Sequence, residues 1–128
     1  MKLSLAHNAL KSSMAKFLLE SLLDNVCLME LDLSGNFLED DFARDLSAVL
    51  EHNPVLYKVD ISKNPIGPAG ASVLLNCILM HNETIGSLGN LEDNMYMGVR
   101  IREELRQTLF LNNTSHDKKR AYVKELQE

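Results

Sequence analysis

The sequence predicts an α/β fold: a right-handed solenoid of about four β-α units, with a parallel sheet on its concave side and helices on its convex side. Three observations carry this. Asparagines recur every 28 residues at Asn8, Asn36 and Asn64. Around each stands one spacing of apolar residues, complete in Leu28, Leu31, Leu33, Asn36, Leu38 and in Leu56, Val59, Ile61, Asn64, Ile66, and cut short at the chain start in Leu3, Leu5, Asn8, Leu10. Each is then followed by apolar positions four apart, which is a helical stripe. A fixed period of this length marks stacked supersecondary units that cannot bury their apolar faces alone.

Taken in order, the first unit pairs a short strand at Leu3 and Leu5 with a helix striped by Met14, Leu18 and Leu22. The second pairs Leu31 and Leu33 with Phe42, Leu46 and Leu50, and the third Val59 and Ile61 with Gly70, Leu74 and Ile78. Asn8, Asn36 and Asn64 are expected to turn inward after each strand and satisfy loop backbone groups with their amides. Asn25, Asn53, Asn82 and Asn112 close the helices, read as residues that tolerate the left-handed conformation there. Pro54 stops the second helix, and Pro65 and Pro68 shape the turn into the third. In the fourth unit the helix keeps Ile101, Leu105 and Leu109, but Ile85, Leu88 and Asn90 with Gly86 and Gly89 make a loosened, irregular strand. These units occupy residues 1–113. Residues 114–128 form a polar helix or tail, N-capped from Thr114 or Ser115, in which Ala121, Val123 and Leu126 are sparse apolar anchors.

The nine-residue pattern L-x-x-L-x-L-x-x-N resembles the leucine-rich repeat. The 28-residue unit with its full helix is similar to the ribonuclease-inhibitor type, found also in the Ran GTPase-activating protein, the tropomodulin C-terminal domain and the NOD-like receptors. The resemblance spans residues 1–113 and implies a scaffold that serves many partners rather than one activity.

Composition narrows the partners. The chain has 128 residues, enough for one core, with thirteen Lys and Arg against eighteen Asp and Glu, a formal net charge of -5. That balance offers no general attraction to nucleic acid or anionic lipid. No run of about twenty apolar residues is present, and two cysteines allow at most one disulfide, so the reading is a reduced, intracellular, cytoplasmic protein. Cys27 and Cys77 read as small buried apolar residues. The histidines are dispersed, and no cofactor or metal is expected. The first strand opens at the chain start without a capping unit. Either a longer protein continues there, or another chain, including a second copy, covers the edge.

Alternation along the strands places Lys2, Glu30, Lys58 and Ser87 in one exposed column, Ser4, Asp32, Asp60 and Gly89 in the next, and Ala6, Ser34, Ser62 and Leu91 in a third. Asp32 and Asp60 would be neighbouring like charges, a cost that a basic partner would relieve. An open sheet supplies little of the burial that divides an acid/base pair. The predicted function is therefore a non-catalytic protein–protein interaction module whose partner meets Glu30, Asp32, Lys58, Asp60 and Ser62. The alternatives are a cytoskeletal or ciliary scaffold component held by the open edge, and a GTPase regulator, for which no residue-by-residue match exists.

Overall fold

The computed structural model describes residues 1–127. Three strands, β1 (Lys2–Ser4), β2 (Glu30–Asp32) and β3 (Lys58–Asp60), alternate with α1 (Ser12–Leu22), α2 (Asp40–His52) and α3 (Pro68–His81). A 3-10 turn at Leu91–Asp93 leads to α4 (Val99–Thr114), and α5 (His116–Gln127) ends the chain. The strands form one parallel sheet in chain order, with Leu3, Leu31 and Val59 in register. The fourth segment joins only through a bridge between Lys58 and Ser87. Its strand is as irregular as its glycines predict.

One apolar core runs between sheet and helices. Leu31, Leu33, Phe42, Leu46, Leu56, Ile61 and Leu74 are all at most 1% exposed. Gly70 is small for a reason: a Cβ there would lie 2.9 Å from the Cα of Asp40, so α3 could not approach α2. The first unit departs from its stripe. Ala15, Leu19 and Leu22 face the core, whereas Met14 is 55% exposed although its counterpart Phe42 is fully buried. The difference is packing: Phe42 has α1 beside it, and Met14 faces the uncovered edge.

Of the asparagines after the strands, Asn36 and Asn64 turn inward, whereas Asn8 is exposed and, among the described residues, its side chain bonds only Ala6 O. Asn36 Oδ1 accepts from the backbone N–H of Asn8 (2.9 Å) and Leu10 (3.0 Å) in the preceding unit. Its Nδ2 donates to Leu5 O (3.1 Å) and Leu33 O (2.9 Å). Asn64 repeats this toward Leu38 N–H (3.0 Å), Leu33 O (2.9 Å) and Ile61 O (3.1 Å). The next rung is Asn94: its Oδ1 takes the N–H of Asn64 at 3.1 Å, 30 residues on. One of the two extra residues of the fourth segment has already entered where Ser87 bridges Lys58, 29 positions on, and the second lies between Ser87 and Asn94, where the 3-10 turn falls. The residues preceding the first three rungs, His7, Gly35 and Lys63, share left-handed φ of 57°, 68° and 57°. Glycine is required only at the middle one, where a Cβ would meet the His7 ring at 2.1 Å.

The helix-ending asparagines form a second ladder, by a different mechanism from the one expected. Asn53 and Asn82 have extended backbones, with φ of -105° and -138°. Their side chains make the turn instead. Asn53 Oδ1 accepts from Val55 and Leu56 N–H, both at 2.9 Å, and its Nδ2 donates back to Leu22 O (2.9 Å) and Asn25 O (3.2 Å). Asn82 does the same toward Thr84, Ile85 and Leu50 O. Asn112 ends no helix, because α4 runs on to Thr114.

Two further expectations change. Cys27 is exposed in the loop between α1 and β2, while Cys77 is buried with its thiol toward Ser47 O at 3.2 Å. In α5, Ala121 and Leu126 are exposed and Val123 half-buried, and the buried residue is Lys119, whose ammonium donates to Ile78 O and Asn82 O. Among the described residues no helix is long and apolar enough to cross a membrane, and no group of three or more His, Cys, Asp or Glu is placed to hold a metal ion.

Two predictions follow from these contacts. Asn64→Ala strands the buried N–H of Leu38 and the carbonyl of Ile61, whereas Leu33 O keeps Asn36 Nδ2; each stranded group costs about 1–3 kcal/mol, so urea titration should show a loss of at least about 2 kcal/mol. Asn8→Ala, which removes one exposed local bond to Ala6 O, should cost under about 0.5 kcal/mol; equal losses would contradict the ladder. Burial also pushes the Lys119 ammonium down to about 8 from its ordinary 10.5, against the pull of Glu83 and Cys77 and with that of Arg120. The unfolded chain then binds more protons between these values, so this group's contribution to stability rises with pH across that window. Cys77, pushed up by burial to about 11 from 9.0, works in the opposite sense above pH 9. The check is therefore wild type against Lys119→Met: their stability difference should move in favour of wild type from pH 8 to 10, and a flat difference would contradict it.

Candidate interaction surface

The face of the sheet turned away from the helices is open. Leu3, Leu31 and Val59 point to the helix side, so pleating sends their neighbours to the open face in two columns. The strand register aligns Lys2, Glu30 and Lys58, and Ser4, Asp32 and Asp60. Parallel strands stand about 4.7–4.9 Å apart, so each column is a ladder of polar groups at fixed spacing. These residues line a shallow hollow of about 330 Å³.

Charge along the first column is paired. Lys2 Nζ lies 2.9 Å from Glu30 Oε2, and the Tyr57 hydroxyl donates to Glu30 Oε1. The hydroxyl of Tyr57 and then Lys2 hold the Glu30 carboxyl below its ordinary range. Lys58, next in line, has no ion-pair partner among the described residues.

The second column is organised by serines two residues on. Asp32 Oδ1 accepts from the backbone N–H (3.0 Å) and hydroxyl (2.7 Å) of Ser34. Asp60 Oδ1 accepts from the same two groups of Ser62. Burial alone would raise the Asp32 pKa, but the bonds from Ser34, with a weaker one from Ser4, outweigh it and leave the carboxyl below its usual range. Asp32 is thus a fixed, ionised acceptor rather than a proton donor. Ser62 is not exposed as its column predicts. It is 6% exposed with its hydroxyl spent on Asp60, because the chain turns inward at Asn64 immediately after β3. It positions an acidic neighbour and offers no free group of its own.

Glu30, Asp32, Lys58 and Asp60 are therefore brought together, and two contributors escape a sequence reading. Tyr57 stands one residue before β3, where strict alternation would turn it inward. The strand has not begun there, and the side chain, 41% exposed, reaches across to Glu30. Gly89 reads as a loosening residue, yet a Cβ there would lie 2.1 Å from Asp60 Oδ1, at a φ of 85°. The fourth segment passes over Asp60 only because that position is glycine. Aspartate titration by NMR tests this electrostatic picture. The Asp32 carboxyl should titrate below a free aspartate, and Ser34→Ala should move it up; a midpoint at or above the free value would contradict the assignment.

The comparisons with known proteins agree with this architecture. A family model described as Leucine Rich repeat matches residues 52–75. A solved structure of the Caenorhabditis elegans tropomodulin C-terminal domain superposes with a TM-score of 0.71 at 19% identity, covering 98% of this chain and 71% of that one. Leiomodin-1 actin-binding site 2 superposes with a TM-score of 0.69 at 14% identity, covering 99% and 88%. No curated protein sequence matches the chain. Residues 52–75 thus match a leucine-rich repeat, and the chain as a whole has a fold similar to those two domains.

Proposed function

We propose that the chain is a four-unit leucine-rich-repeat solenoid acting inside the cell, in the cytoplasm, as a non-catalytic protein-binding module. Its partner meets the concave sheet face through Glu30, Asp32, Lys58 and Asp60, with Tyr57 beside them. The observation that carries this reading is preorganisation. Glu30, Asp32 and Asp60 are each held by a bond within the protein, so a ligand orders little of their side-chain entropy on docking, and Lys58, without an ion-pair partner among the described residues, is left to pair with it. Similarity to leiomodin-1 actin-binding site 2 makes actin the first partner to test.

The test is titration of the chain against labelled monomeric actin by fluorescence anisotropy. Saturable binding is expected, weakened about tenfold or more by the combined Asp32→Asn and Asp60→Asn changes, since desolvated charge contacts cost about 2 kcal/mol or more to lose. Binding indifferent to both changes would contradict the face, and no binding would remove actin as the partner.

One observation favours a second reading, an assembly component held by an edge. Leu3, Met14 and Phe17 are 39%, 55% and 76% exposed, and the counterparts of the first two, Leu31 and Phe42, are at most 1% exposed. Under that reading sedimentation equilibrium shows concentration-dependent association that Phe17→Asp abolishes. A monomer at every concentration would contradict it.

A further inference from the structure

The last helix is fastened unlike the others. α2 buries Phe42, Leu46, Val49 and Leu50, whereas α5 buries a single side chain, Lys119. That ammonium donates to Ile78 O and Asn82 O at the C-terminal end of α3. Two units earlier the corresponding carbonyls, Leu22 O and Asn25 O, receive the amide of Asn53. Lys119 thus fills the place of a ladder asparagine, because Asn112 in the shifted fourth unit reaches Asn82 O and Ile85 O instead. The remaining ties between α5 and α3's end are also polar: Arg120 meets both carboxylate oxygens of Glu83 at 2.9 and 2.8 Å, and His116 Nδ1 lies 3.5 Å from Glu83. One extended residue, Ser115 at φ -160°, separates α5 from α4.

We propose that α5 is a strap, latched by Lys119 onto the end of α3 and hinged at Ser115, that opens as a unit while the rest of the chain stays folded. Polar ties exchange readily for water, and little apolar area opposes release, so local opening lies below global unfolding. The open strap frees the acceptor of Ile78 and removes Tyr122 from the groove beside α4 that it lines together with Phe110 and Leu111. It thereby regulates access to this end of the stack.

Native-state amide exchange of the full chain by NMR tests the strap. The amides of residues 120–126 should share one opening equilibrium with protection well below that of α2 and α3. Lys119→Met should lower α5 protection at least tenfold and leave α2 and α3 unchanged, and Glu83→Gln should lower it two- to threefold. Protection in α5 equal to α3, a graded fraying from Gln127 inward, or equal acceleration of every helix in Lys119→Met would each overturn it. If Lys119→Met does not fold, Lys119→Gln, which retains a donor on a shorter arm, should show the same selective loss.

Discussion

A carboxamide offers an acceptor with two lone pairs and a donor with two hydrogens on one short arm, and this fold depends on that property. Each turn after a strand or helix leaves backbone groups that no sheet or helix satisfies, and burial makes them costly. One asparagine settles the turn on its own unit and reaches into the unit before it, as Asn36 does toward Asn8, Leu10 and Leu5. Unit closure and unit stacking are therefore one interaction. It also has a direction. Amides of later units serve earlier ones, as Asn36 serves the first unit and Asn64 the second, and Asn8 is exposed. The end of α3 shares its service between Asn112 and the lysine of a helix outside the repeat.

This rigidity bears on the open face. With strand spacing held from behind, the residues turned away from the core carry little of the fold's stability and are free to carry recognition chemistry. Serines on the inward turn, Ser34 and Ser62, orient the aspartates beside them. Scaffold and surface thus divide along the chain at single-residue intervals, which is how one architecture serves unrelated partners.

Much of this was legible in the sequence. The period of asparagines located strands and helices, and alternation aligned Lys2 with Glu30 and Asp32 with Asp60 before any coordinates. What escaped are features that depend on neighbours rather than period. Asn94 sits two residues out of phase, and only the N–H of Asn64 identifies it as a rung. The extended backbones of Asn53 and Asn82 reflect a side-chain turn that residue preference alone does not distinguish from a left-handed cap. Lys119 stands in a run of three basic residues, Lys118-Lys119-Arg120, and nothing local shows that carbonyls at the end of α3 lie within its reach. Tyr57 lies outside the strand whose alternation would have located it.

The most direct measurement is native-state exchange at two backbone amides, Leu38 and Asn64, whose N–H groups donate to asparagine side chains of the following unit. If amide bridges hold the stack together, both should exchange only through global unfolding, as slowly as the core amides of α2. Exchange at the rate of an exposed loop would mean that sheet pairing and apolar contact hold the units without the amide bridges, and would contradict the account.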